Sequence, residues 1–288
     1  VVLFEKSDQL GGTLRFAALA YEPNEGLLDW LCRQVRAAAV DVRLNTAATT
    51  ERLLEFGPED VVVATGALRE LPAIPGANLS HVFSGDDMRN LVMGLPSDRL
   101  KGKTSLLARI ATRMGAATGL TDNIGFTRKA THAWMPLGKH VTIIGGELVG
   151  LELAEFLNER GRTVTVIDEE HKFGAGLMLM RRLRILAELK EHGVILLTGS
   201  TDIRIESGRV CYRGTDGNET TVRAEHVIVA RGAKGDSSQA ALFRSAGLRV
   251  HEVGDCNGVG YINGAMREAL QVVDAINADT IFTGTASA

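Results

Sequence analysis

Between Val141 and Glu170 the spacing of apolar residues changes from continuous to helical and back again. Val141, Thr142, Ile143 and Ile144 form an apolar-rich run that ends at glycine, the pattern of a strand buried on both faces. From Leu151 to Glu159 apolar side chains recur at helical spacing, and Gly161 stops that helix. Thr163 to Ile167 is a second buried strand, closed by Asp168. The stretch therefore predicts strand, turn over Gly145 to Gly150, helix and strand.

The rest of the chain shows the same alternation of periods. Val1-Val2-Leu3-Phe4-Glu5 is a strand ending in an acid, followed by Leu10-Gly11-Gly12. Leu27 to Ala39 has helical spacing, and Val40 to Asn45 is a short alternating strand. Val61 to Ala64 runs into Thr65-Gly66-Ala67, and Val227 to Ala233 is nearly its copy. Arg181 to Glu191 reads as a helix and Val194 to Leu197 as a strand; Ile203 to Tyr212 with Thr220 to Arg223 reads as a hairpin-like insertion around Asp216-Gly217-Asn218. An alternating strand from Arg249 ends in Gly254-Asp255, and a further helix starts near Gly264. Two such units predict an α/β chain of two stacked, related domains.

These turns carry candidate chemistry. Gly145 permits a tight turn, Gly150 lets helix and strand approach, and Ala154 keeps the same helix face small. Free N–H groups at the helix start attract a pyrophosphate, and Asp168, about 20 residues on, can accept from a ribose 2′-OH. Gly146 fills the variable slot, and Glu147 stands where the middle glycine of G-x-G-x-x-G belongs. Its carboxylate would repel a diphosphate. Either it turns outward and a nucleotide still binds, or the nucleotide sits higher, or the fold persists with weakened binding; a helix packed on a sheet for structural reasons alone is the plain alternative.

Glu5 holds the place in its unit that Asp168 holds in the later one, a candidate ribose ligand of a first nucleotide or simply an exposed acid ending a strand. The strand and glycine turn that should precede it are absent, so the chain is expected to lack its natural N-terminus. Thr65-Gly66 lies at the sheet edge where nucleotides bind, and Asp255 beside a helix start can hold a sugar alcohol while the helix faces a phosphate.

The 288 residues suggest two domains, and 45% hydrophobic with 23% charged residues are globular values. A net charge of −3 gives no general attraction to nucleic acid or to an anionic membrane, and no apolar run has transmembrane length. Cys32, Cys211 and Cys256 lie too far apart in sequence for a local redox pair or cluster, which points to free thiols in a reducing cytoplasm. The histidines are scattered without metal spacing. Residues 96–138 are locally basic, with Arg99, Lys101, Lys103, Arg109, Arg113, Arg128 and Lys129 against Asp98 and Asp122; the segment reads as a helical connector with either a solvated charged face or a docking surface for an acidic phosphate or a partner domain.

FEKSDQLGG, VVVATGA, MPLGKHVTIIGGELVGLELAEFL and VGDCNGVGYINGAMREAL together resemble a family. It is the C-terminal FAD/NAD(P)-binding region of the NADH:flavin oxidoreductases related to 2,4-dienoyl-CoA reductase and trimethylamine dehydrogenase, and the resemblance runs over nearly the whole chain. It implies two Rossmann-like domains with mostly parallel sheets, the second inserted in the first. Residues 1–95 and 248–288 would form an incomplete FAD domain, 96–138 the connector and 139–247 the NAD(P)H domain. Glu5 would hold the FAD adenosine ribose, Gly11 and Gly12 would pass near its pyrophosphate, Asp255 would hold the ribitol, Thr65-Gly66, Gly254 and Gly264 would also serve FAD, and Gly145, Gly146, Gly150 and Asp168 would serve NADH. Hydride would pass from nicotinamide to FAD with no catalytic acid or base from this chain.

Preference for NADH over NADPH follows from Asp168-Glu169-Glu170, which would repel a 2′-phosphate, softened if Arg181 and Arg182 fold back. FMN, a [4Fe-4S] cluster and the substrate site are expected only on the missing N-terminal part of the same full-length chain. Arg231 departs from the uncharged residue usual in the second small-residue turn. Two rivals stand beside this: a non-catalytic ADP- or FAD-binding electron-transfer module and, ranked last for want of a cysteine pair, a disulfide reductase.

Overall fold

A computed structural model describes residues 1–69, 71–93, 97–103 and 123–284. The chain begins with β1 (Val2–Phe4), α1 (Gly12–Ala20), α2 (Pro23–Ala37), β2 (Asp41–Arg43), α3 (Thr50–Phe56), β3 (Val61–Val63) and β4 (Leu68–Arg69). It continues with β5 (Val82–Ser84), α4 (Gly85–Met93), α5 (Ile124–Ala133), β6 (His140–Ile144), α6 (Leu148–Glu159), β7 (Thr163–Ile167), α7 (Leu179–Glu191) and β8 (Ile195–Leu197). There follow β9 (Thr201–Glu206), β10 (Arg209–Arg213), β11 (Glu219–Arg223), β12 (His226–Val229), β13 (Ala233–Lys234), α8 (Ser238–Ser245), β14 (Val250–Glu252) and α9 (Tyr261–Gly284). These elements form two compact units: Val1–Leu10, Gln34–Glu70 and Ala233–Ala288 make the first, Gly11–Arg33 and Leu71–Gly232 the second.

The second unit is built on a five-stranded sheet of order β5-β12-β6-β7-β8, with every pairing parallel. Its strands read as continuous apolar runs because both faces are covered. Val141, Ile143, Val164, Val166 and Ile228 point into a helical layer that includes Leu19, Met88, Leu151, Phe156, Leu157 and Ile185. Their neighbours Ile144, Ile167, Val227 and Val229 point the other way, against Ile203, Ile205, Val210 and Tyr212. These last belong to a three-stranded antiparallel sheet of order β11-β10-β9. The expected hairpin-like insertion is thus the cover of the sheet's second face. Full burial of a side chain such as Leu151 or Phe156 contributes about 1.5–3 kcal/mol.

The first unit contains two separate parallel pairs, β1 with β2 and β3 with β14, and an antiparallel pair of β4 with β13. Phe4 of β1 packs on the same core as Val61 and Val63 of β3, together with Leu53, Phe243 and Cys256. The two parallel pairs therefore share a core, although no ladder joins them among the described residues. Ile262, Met266, Leu270 and Val273 form an exposed apolar stripe along α9.

An α/β fold with mostly parallel sheets is what the structure has; its division lies elsewhere than at 95/96, 138/139 and 247/248. Val82 pairs with Val227 and Val141 with His226, so β5 joins the second sheet across β12. Ala18, Leu19 and Leu28 are buried in that unit's core, which draws residues 11–33 to it. Residues 233–247 go to the first unit, because β13 pairs with β4 and α8 buries Ala240 and Phe243 in its core. In the expected connector, α5 is a packed helix rather than a solvated one: Arg128 donates to Ala18 O at 2.7 Å and pairs with Glu25 at 2.9 Å. Lys103 pairs with the buried Asp87 at 2.7 Å. Arg109, Arg113 and Asp122 lie outside the described residues.

Candidate functional site

The turn after β6 is held by main-chain packing that side chains would obstruct. Gly145 has φ +118°, a conformation that favours glycine, and its N–H donates to Ile167 O at 2.9 Å. A Cβ on Gly150 would strike the Gly145 carbonyl, and one on Gly146 would enter the Phe173 ring. Helix α6 begins at Leu148, inside the expected turn, with Glu147 as an extended N-cap (φ −78°, ψ −171°) whose side chain makes no capping hydrogen bond. Glu147 is exposed. The structure brings Gly145, Gly146, Gly150 and Asp168 together at the carboxyl end of β6 and β7.

Asp168 is 2% exposed, and its carboxylate already accepts three hydrogen bonds. The donors are Gly146 N, Glu170 N at 3.0 Å and Arg231 Nη2 at 2.7 Å. The other guanidinium nitrogen, Arg231 Nη1, reaches Glu169 at 3.1 Å. Arg231 comes from the end of β12, whose ladder to β6 runs on through Ala230 N and Ile144 O at 2.9 Å. Arg231 is therefore a cation that compensates Asp168 and Glu169. Arg181, which would soften their charge if it folded back toward them, stacks over Tyr21 at 4.0 Å and lies 3.7 Å from Glu152 and 3.8 Å from Glu155.

That second cluster was not foreseen. Glu152 and Glu155 share one turn of α6 on the helical side of the sheet. Burial pushes the Glu152 carboxyl up to about 7, with Arg181 opposing and Glu155 reinforcing the shift. Burial also raises Glu155. Two acids in an otherwise apolar helix face were the available signal.

In the first unit, Val61 faces Val250 and Val63 faces Glu252 in parallel register. Thr65-Gly66 and Gly254-Asp255 consequently leave the same carboxyl edge of adjacent strands. Gly66 has φ +79° and open space where a Cβ would be. Asp255 Oδ1 accepts from Gly260 N and Tyr261 N, each at 3.0 Å, and so caps the start of α9. Gly254 N donates to Glu268 at 2.7 Å. Gly264 is buried one turn into α9, where Gly260 packs over it.

Glu5 accepts from Ser7 N at 2.7 Å and Ser7 Oγ at 2.8 Å. Gly11 and Gly12 fall in the second unit at the start of α1, with φ +113° and +48°. Gly11 packs on Leu28, while Gly12 faces open space. The three cysteines are free thiols, Cys211 and Cys256 buried. No group of three His, Cys, Asp or Glu side chains among the described residues could hold a metal ion.

Both units place glycine turns at the carboxyl ends of parallel strands, Gly145 to Gly150 closely packed at the start of α6 and Thr65-Gly66 open after β3, the kind of turn that nucleotide-binding folds carry beside helix starts. Bilirubin reductase of Mediterraneibacter gnavus is 28% identical over 89% of this chain and 34% of its own length. NADH oxidase of Thermoanaerobacter brockii is 26% identical over 94% of this chain and 36% of its own. The chain thus spans about a third of these relatives. A 2-naphthoyl-CoA reductase structure superposes with a TM-score of 0.70 over 93% of this chain and 35% of that one, at 22% identity, a likeness of fold. Residues 28–262 match the family described as pyridine nucleotide-disulphide oxidoreductase, a family of FAD- and NAD(P)H-binding domains, and the chain belongs to that family.

Proposed function

We propose that this chain is the NAD(P)H-oxidising region of an FAD-dependent oxidoreductase resembling 2,4-dienoyl-CoA reductase, with NADH preferred over NADPH. The observation that carries this is the cradle after β6, where Gly150 packs on Gly145 and the Asp168 carboxylate closes the adjacent strand. Gly145, Gly146 and Gly150 would receive the dinucleotide backbone and Asp168 its ribose. Glu5, Gly11, Gly12, Thr65, Gly66, Gly254, Asp255 and Gly264 would serve FAD. When bound, the two cofactors supply hydride donation and acceptance, and the protein supplies binding and orientation.

In the same proposal, electrons leave for a flavin and iron–sulfur region, with FMN and [4Fe-4S], elsewhere in a longer cytoplasmic chain. Two features support an additional strand-and-helix segment: β1 and β3 share one core without a joining ladder among the described residues, and α9 exposes an apolar stripe. No helix among the described residues is long and apolar enough to cross a membrane.

The test is an anaerobic titration of the full chain, reconstituted with FAD, against NADH. Bleaching of the flavin's visible band is expected. Retained FAD without bleaching would favour the rival, a nucleotide-binding module without turnover, which the engagement of Asp168 by Gly146 and Arg231 also favours. An Asp168→Ala variant is expected to lose much of its discrimination against NADPH; an unchanged ratio would defeat the NADH assignment.

A further inference from the structure

We infer that Arg231 is a specificity-determining residue of the turn after β6, and that it weakens the discrimination of that turn against a 2′-phosphorylated adenine nucleotide. The inference rests on reading this turn as the NAD(P)H site. It adds a residue that sits where the second small-residue turn has a charge, sixty-odd positions from the acids it controls.

The geometry is specific. Arg231 is tethered by the β12–β6 ladder beside Gly145, where a Cβ would lie 2.7 Å from Arg231 Cγ. Its fork holds two consecutive acids at once, Asp168 at 2.7 Å and Glu169 at 3.1 Å. Asp168 Oδ1 has Glu170 N and Arg231 as donors, while Oδ2 has Gly146 N. Of these three donors only Arg231 is a side chain and can move aside. A ribose 2′-OH that donates to Oδ1 must therefore compete with the guanidinium. A 2′-phosphate brought to the same place meets the guanidinium as the cation beside two acids, and a planar fork suits phosphate.

Loss of the arginine has opposite consequences for the two sugars. It opens an acceptor on Asp168 to a hydroxyl, and it leaves a phosphate facing two uncompensated carboxylates. Any effect on the pyrophosphate is common to both nucleotides and cancels in the ratio of their affinities. The attraction of one unit charge at about 4 Å, in surroundings between bulk water and a protein surface, is expected to change that ratio about tenfold, or about 1.4 kcal/mol.

The experiment is calorimetric titration of the full chain with ADP-ribose and with 2′-phospho-ADP-ribose, which need no flavin and no turnover. In Arg231→Gln the ratio of dissociation constants, phosphorylated over unphosphorylated, is expected to rise about tenfold. Arg231→Lys keeps the charge but cannot bridge both acids, and is expected to fall between. Glu169→Gln removes an exposed acid with little risk to folding, and is expected to move the ratio the other way, by about threefold. If both probes bind and the ratio stays put in Arg231→Gln and Glu169→Gln, the role of Arg231 is overturned while the site stands. If the unaltered protein binds neither probe, the reading of the turn itself fails, and this inference with it.

Discussion

The two glycine-bearing regions use the same residue types to opposite ends. In the second unit the turn after β6 is closed by the protein itself: Gly150 abuts the Gly145 carbonyl, Phe173 covers Gly146, and Arg231 lies along Gly145. In the first unit Gly66 faces open space, and Asp255 spends one oxygen on its own helix start. Glycine serves close packing of backbone on backbone in one place and an accessible backbone in the other. A motif of small residues does not by itself distinguish these uses. Neighbours from distant strands do.

Gly150→Val should break the comparison most strongly. Its side chain would enter the Gly145 carbonyl, which main chain holds in place, and a loss of about 3 kcal/mol or more is expected in urea unfolding. A loss below 1 kcal/mol would mean that α6 can retreat from β6.

Next in size is a pH effect confined to the second unit. Glu152 has an ordinary value of 4.5 and is held at about 7 by burial, so the folded protein takes up a proton more readily than the unfolded chain. Its contribution is therefore most favourable below pH 4.5 and is lost as pH rises through about 7. Glu152→Gln should raise the melting temperature at pH 8, by the equivalent of about 2–3 kcal/mol, and leave it unchanged near pH 4. Equal effects at both pH values would place the cost in packing rather than in charge.

Gly66→Ala sharpens the comparison from the other side. Nothing stands within 4 Å of the added methyl, so the cost is the left-handed backbone alone, about 1–2 kcal/mol. FAD binding should weaken well beyond this if the open face receives the cofactor, which fluorescence titration would report. The smallest effect is expected from Arg184→Ala on α7. Its bond to Glu188 at 2.8 Å is an exposed pair spaced i, i+4, which solvent screens so that it contributes little; a clear shift in thermal melting would show that α7 depends on it.

Much of this was legible from local pattern. The strand, turn, helix and strand from Val141 to Asp168 appear where the spacing put them, within a few residues. The strand before Thr65 and the one before Gly254 also appear, as β3 and β14. Helix α2 starts earlier than its apolar spacing suggested, at Pro23, a residue pre-shaped for a first helical turn. Not legible were the insertion of β5 beside β12, the membership of residues 11–33 in the second unit, and the partners of Asp168 and Arg181. A three-residue strand has too short a period to announce its neighbour, and an ion pair between residues far apart leaves no trace in spacing.

What the sequence determined by itself was the set of elements and the place of the small residues and acids at their ends, because the 2.0 and 3.6 periods and glycine's backbone freedom act within a dozen positions. What only the tertiary structure decided was which acid is met by a side chain from a distant strand and which by a neighbour in sequence. Asp168 and Glu5 look alike in sequence, each closing a strand. Strand β12, laid beside β6 by burial of both sheet faces, delivers Arg231 to Asp168, whereas Glu5 is met by the neighbouring Ser7. That difference comes from which strand packing sets alongside, and no local pattern encodes it.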